Sequence, residues 1–585
     1  MVIADTHADI NIAPPLNGIP DLIERILEAE KSKKEKRDKI RKMAVYHETS
    51  ISALAEQEAS IKIPFQQKYS GRKPVVTSSL ASTPCVKLGI DKFLFHLNTL
   101  LGTSYKSTMP SLSSLLESCI SANYDFGTAY SRLRPEWFSN FATVKDLQRK
   151  LEEEDQKIRE EALVDNRIRV AMPPRRVWDL YSNRVMPCCL ILEEPWAILH
   201  DGVDDLVSVT TPINGGEWPV PVPADANLDL IRIELLNLGA EYVWLDALCL
   251  RQRGGKREDL RETEWRTDMP TIGNVYRWSE VVVHYLNGLG RVSGRTNLKR
   301  RHLDVCDRSW FRCAWKEPEV NNHEIVAGYV PPDTKETVHT QGEAASSQKH
   351  LSEYTDKGLQ DFQQTDEESR ARGSYKLSHI LADMQERVST NPVDRIAGLA
   401  WLLSSRTLPA YYENESLEDA WTALMNSMYP SMRSSFLFLY PDAGLGHKKW
   451  RPTWTQVMTE PLPDTYCHGF VHHDDNTDED WCEELCIEKG YILGLDTGST
   501  EGYDRCGELV VKDKDGIAHT FRVRVTHQSP IPEDVYTLLG DAWSYYVVGR
   551  RLPGQRFEKV SVIKMDDFQE VKWLDIAVKS RNILV

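Results

Sequence analysis

Two short apolar runs, Tyr242-Val-Trp-Leu-Asp-Ala-Leu-Cys-Leu250 and Val281-Val-Val-His-Tyr-Leu286, constrain this chain more than any other feature. Each has the length of a strand, and an amphipathic helical stretch separates them. Strand, helix, strand at this spacing predicts a βαβ unit, whose strands run parallel and are buried on both faces. In open α/β sheets of that kind, sites form beyond the carboxyl ends of the strands. Asp246 interrupts the first run in its C-terminal half, near that edge. A carboxylate there loses hydration worth several kcal/mol unless a partner, a raised pKa or a chemical role offsets the loss. A hydrogen bond to a loop amide, or pairing with Arg251 or Arg253, is the structural account of Asp246; a place in a site is the other.

The second run ends in Asn287-Gly-Leu-Gly-Arg291 and continues to Arg295. Gly288 and Gly290 would let backbone amides approach a diphosphate, and Arg291 and Arg295 would bind it bidentately. The spacing is not the GxGxxG of a dinucleotide fold, so a solvated loop is the competing account.

At 585 residues, and about 150 residues per folding unit, three or four units are expected. Eight of the sixteen tryptophans fall between Trp178 and Trp315, which marks the densest core. Residues 1–165 read as a helical N-terminal region, in which Asp21 to Met43 alternates acids and bases as a solvated helix does. Its basic run from Lys31 to Lys39 is interspersed with acids, which fits a solvated face better than a nucleic-acid patch. Residues 166–320 form the α/β domain. Residues 321–375 lose tryptophan and periodicity and read as a mobile acidic insertion or linker. Residues 376–585 read as helices followed by a small antiparallel β module beginning near residue 490, with Asp513-Lys-Asp-Gly516 as a hairpin turn.

The 71 basic and 87 acidic side chains leave a formal charge of −16, the wrong sign for a protein that neutralises long nucleic acid. The excess acid falls after residue 320, so a small phosphate-bearing ligand is not disfavoured near Arg291. No apolar run approaches the roughly 18 residues that span a bilayer, and Met1 to Pro15 lacks the pattern of a secretory signal, so no membrane association is expected. Eleven cysteines at irregular spacings suit a reducing, cytoplasmic setting. No metal site is expected. Asp5, His7 and Asp9 lack a downstream cluster, the Cys467 to Cys486 segment lacks paired C-x₂-C spacing, and the Asp513 turn lacks a closing Glu. Walker A, nucleophile-elbow, HExxH and kinase signatures are missing from the sequence.

Glu241-Tyr-Val-Trp-Leu-Asp-Ala-Leu-Cys-Leu-Arg-Gln252, followed by Trp265 to Tyr276 and Val281 to Gly290, resembles the central motif of the fungal heterokaryon-incompatibility (HET) domain. Pro173 to Val185 resembles the lead-in of mushroom-type members, and Pro195-Trp-Ala-Ile198 the start of the first motif. Asn391 to Leu403 resembles the helix that commonly follows. The resemblance to the domain covers about Pro173 to Val320. It implies an α/β fold similar to Toll/interleukin-receptor-like domains, with a parallel sheet and flanking helices. It also implies a role in allorecognition and programmed cell death, with a protein partner or self-association. Some relatives with this fold consume NAD, which makes NAD a candidate substrate and leaves no cofactor required. The resemblance places the catalytic groups at Asp246 and Glu319, with His200 as a polar contact and Arg291, Arg295, Gly288 and Gly290 near the diphosphate. Leu199-His-Asp-Gly202 departs from the usual Ser-His-x-Trp of the first motif, and Cys313-Ala-Trp-Lys-Glu-Pro-Glu319 departs from the third. These departures favour a catalytically inactive interaction module as the alternative. A conventional NAD-binding oxidoreductase is disfavoured by the missing dinucleotide fingerprint.

Overall fold

The computed structural model describes residues 19–43, 46–53, 60–200, 206–285, 288–291, 323–328, 377–460 apart from 388, 390, 404 and 406, 469–497, 504–540, 544–565 and 576–585. The first element, α1 (Ile19–Met43), is the charged helix expected from its alternating signs. After a single turn at Ser78–Ala81, the longer helices of this region are α2 (Cys85–Leu101), α3 (Pro110–Ser121), α4 (Phe126–Leu133) and α5 (Val144–Ala162). Their apolar faces do not form a core of their own. Phe93, Leu97, Tyr130 and Trp137 belong to one cluster that also contains Val243 and Val283 of the apolar runs, and that cluster continues to Leu584.

That cluster surrounds a six-stranded sheet. Its strands are β1 (Arg176–Asp179), β2 (Arg184–Pro187), β3 (Trp196–His200), β4 (Tyr242–Trp244), β5 (Val281–Tyr285) and β6 (His323–Val326), in spatial order β6-β5-β3-β4-β1-β2. β3 to β6 run parallel, whereas β1 and β2 form an antiparallel hairpin against β4. Helix α6 (Leu228–Leu238) precedes β4. Between β4 and β5 lie the short α7 (Asp246–Cys249), α8 (Glu258–Asp268) and α9 (Ile272–Trp278). Trp244 packs edge-on against Tyr276 of α9, with ring centroids 5.7 Å apart.

Two expectations are corrected here, and a third gains a detail that the sequence did not offer. The run Tyr242 to Leu250 is not one strand: β4 stops at Trp244, Leu245 is the extended N-cap residue, and Asp246 opens α7. A short apolar run carries no periodicity with which to tell strand from buried helix. The strands of the predicted βαβ unit are parallel but not neighbours, because β3 lies between β4 and β5. The expected boundary at residue 320 falls short of the sheet, since β6 extends it in parallel register with β5. Apart from residues 323–328, the 321–375 segment lies outside the described residues.

The C-terminal region begins with α10 (Leu377–Glu386), α11 (Val393–Leu402), α12 (Leu417–Ser427) and α13 (Pro430–Phe438). Its strands are β7 (Val471–Asp474), β8 (Glu479–Leu493), β9 (Arg505–Lys512), β10 (Ala518–Val525), β11 (Val535–Gly540), β12 (Tyr545–Leu552), β13 (Arg556–Met565) and β14 (Val578–Leu584). The β structure starts earlier and is larger than expected. Strands β8-β9-β10-β13-β12-β11 pair antiparallel, and β11 pairs back onto β8, closing a ring. Closure removes the exposed strand edges that invite aggregation. Alternate positions, among them Leu509, Val511, Phe521, Val523, Leu538 and Ile563, form a second, separate core. The hairpin turn at Asp513 to Gly516 joins β9 to β10, with Gly516 in the left-handed region. Among the described residues, no helix is long and apolar enough to cross a membrane.

Candidate functional site

In chain order β3, β4, β5 and β6 are the first to fourth parallel strands, and they lie side by side in the order fourth, third, first, second. The order therefore reverses between β3 and β5. A crevice opens beyond the carboxyl ends of the strands at such a switch point. Here the two strand ends are His200 and Tyr285, which sit opposite each other in the pairing register.

His200 and Asp246 meet at this edge, with His200 Nε2 3.1 Å from Asp246 Oδ1. The same oxygen accepts the Ala247 amide at 2.6 Å. The Asp246 side chain is 44% exposed and that of His200 is 13% exposed, so the pair has a carboxylate open to solvent beside a mostly enclosed imidazole. Burial pushes the carboxyl up, but His200 and the Ala247 amide outweigh it and hold Asp246 below the ordinary carboxylate value. The expected desolvation penalty is thus met by leaving the strand and gaining His200, not by an arginine. Arg251 pairs with Glu264, and Arg253 with Glu413.

The turn that carries Asp246 is held from behind. Gln252 donates its side-chain amide to the carbonyls of Asp246 and Leu250, at 3.3 and 3.1 Å. Trp265 donates to the Arg251 carbonyl at 2.8 Å. Gln252 and Trp265 are both residues that carry the HET resemblance, and their work here is to fix the chain just after the acid.

Beyond β5, Gly288 and Gly290 both have positive φ, 96° and 75°, as the tight turn requires. A Cβ on Gly290 would lie 3.2 Å from Ile231 of α6. This turn delivers Arg291 into a bidentate pair with Asp225, Nη2 donating to Oδ1 at 2.8 Å and Nε to Oδ2 at 3.1 Å. The guanidinium expected near a diphosphate is therefore engaged by a carboxylate, which a phosphate would have to displace. Glu319 and Arg295 lie outside the described residues.

Sequence reasoning missed Glu234. It is buried on α6 and accepts bonds from Gln66 at 2.9 Å, Tyr285 at 2.7 Å and the Gly328 amide at 2.8 Å. Burial raises its carboxyl above the ordinary value. Tyr285 ends β5 and Gly328 follows β6, so Glu234 ties the carboxyl ends of two strands to the N-terminal region through Gln66. The available signal was a lone acid inside Ile231-Arg-Ile-Glu-Leu-Leu236.

A carboxylate and an imidazole in contact at the strand-order switch point suit general acid–base work and the stabilisation of a developing positive charge. No protein-family model, curated protein or solved structure matches this chain.

Proposed function

We propose that this chain is a HET-type allorecognition protein acting in the cytoplasm, and that its α/β domain cleaves the N-glycosidic bond of NAD at the Asp246 edge. The observation that carries this is the His200–Asp246 contact at a strand-order reversal. In the proposed step the bond between ribose C1 and the nicotinamide nitrogen breaks, and its electron pair leaves with neutral nicotinamide. Asp246 stabilises the oxocarbenium-like ribose, as a carboxylate does in glycoside cleavage. Water then adds to C1 and gives up one proton, with His200 positioned to receive it.

Incubation of purified protein with NAD, followed by chromatography of nicotinamide, tests this. Release is expected, and Asp246→Ala should lower it by about 10²-fold or more while the circular dichroism spectrum is unchanged. No release from the wild-type chain, or undiminished release from the variant, overturns the catalytic assignment. The Arg291–Asp225 pair favours a second reading, a HET-fold interaction module without chemistry. On that reading neither NAD turnover nor NAD binding is observed.

A further inference from the structure

Helix α1 approaches the body of the protein through long polar side chains. Arg25 pairs with Glu154 and Glu161, Lys36 with Glu136, and Arg37 with Glu193, while Lys33 donates to the Cys188 carbonyl. Leu22 of α1 is buried, but the next apolar positions along it are left open: Ile23 is 44% exposed and Leu27 60%. Across from them Trp278, at the end of α9, is 43% exposed. All three line one groove of about 940 Å³, whose far wall includes Pro173, Pro174 and Pro195. Exposed apolar side chains gathered in one concavity with a polar rim mark an interaction site.

The rim has a sign. Six lysines and arginines line the groove against two carboxylates, Glu193 and Glu194, in a chain whose net charge is −16. Arg37 already neutralises Glu193, and Lys31 and Lys34 are exposed. Ile23, Leu27, Lys31 and Lys34 follow one another at spacings of four, four and three, so they share one face of α1, apolar in its first half and cationic in its second. From Ile23 to Arg37 this face is about 22 Å long at 1.5 Å per residue.

We infer that the groove between α1 and the amino-terminal edge of the sheet receives an amphipathic helix of a partner protein, apolar along one stripe and acidic towards one end. An apolar groove lined at i and i+4 positions accepts a helix, and a cationic rim selects acids beside the stripe. The walls make the surface concave, which suits a helix and not the flat face of a bilayer. The groove lies before β3 and β5, at the edge of the sheet opposite His200 and Asp246, so the inference is independent of the NAD proposal.

The test uses the full-length protein and a fluorescein-labelled helical peptide of about fifteen residues. The peptide has leucines at i, i+3, i+4 and i+7 and glutamates over its second half. A twin carries lysine for glutamate, and phosphatidylserine vesicles form a third arm. By anisotropy, the acidic peptide should bind at least about tenfold more tightly than its twin, and Leu27→Asp should weaken it by about tenfold or more. The double variant Lys31→Glu, Lys34→Glu should reverse the preference between the twins. These positions are exposed, so the fold is not at stake, and a circular dichroism spectrum verifies that. Absence of binding, equal affinity for the twins, or indifference to Leu27→Asp overturns the inference. Binding of vesicles but not of peptide, lost in the same variants, assigns the surface to a membrane and overturns it as well.

Discussion

Lys559 lies in the protein interior with its ammonium nitrogen 2.7, 2.9 and 3.3 Å from the carbonyls of Tyr440, Leu437 and Phe436, at the end of α13. Burial pushes its pKa from 10.5 down to about 7, and Asp442 pulls it only partway back. The unfolded chain keeps this proton up to the ordinary lysine range while the folded chain releases it near neutrality. Stability therefore rises with pH between those limits and is flat below them. Urea midpoints measured at pH 6 and pH 9 should show this rise in the wild type. In Lys559→Met the contribution from this group disappears, and the orphaned carbonyls cost about 1–3 kcal/mol at either pH. Asp246 was legible for a related reason, as a lone charge in an apolar run. Its location was not legible, because nothing local in Trp244-Leu-Asp-Ala distinguishes a strand from a strand that ends in a helical turn. Glu234 was illegible for a different reason. Among helical residues an acid normally faces water, and the partner that makes burial tolerable, Gln66, stands 168 positions away.

At the scale of elements, the alternation of strand and helix between Tyr242 and Tyr285 was readable from local pattern. The place of β3 between β4 and β5 was not, because strand order is decided by which apolar faces meet after the chain has folded. Helix α1 was readable as a solvated helix, but not the side chains that moor it. Exposed and half-exposed ion pairs contribute about 0–1 kcal/mol each and are weakened by salt. Raising sodium chloride from about 50 mM to about 1 M should therefore speed amide exchange in α1 by about tenfold, while β4 and β5 keep their protection. Hydrogen exchange read by mass spectrometry checks this, and equal protection of α1 at both salt concentrations would contradict the mooring by charge.

Across the whole molecule, residues 165 and 320 are not seams. The helices α2 to α5, the parallel sheet and the helices α10 to α13 contribute apolar residues to one cluster. The interior of the closed barrel stands apart from it, as does a small cluster of Val177, Met186, Cys188, Leu190, Ile191 and Tyr242 at the β1–β2 side of the sheet. Segments that share a core lose protection together. In rising urea, peptides from 93–141 and from 197–285 should exchange with coincident midpoints, and a separation between them would mean two independent folding units. The sequence-based division followed composition, which records what the chain is made of and not which surfaces it shares. One strand carries the last consequence. β3 is five residues long, about 17 Å of extended chain, with Pro195 of the groove just before its first residue and His200 as its last. A helix of the size inferred for the groove and a small molecule at the carboxyl edge can occupy the protein simultaneously, because neither needs the space of the other.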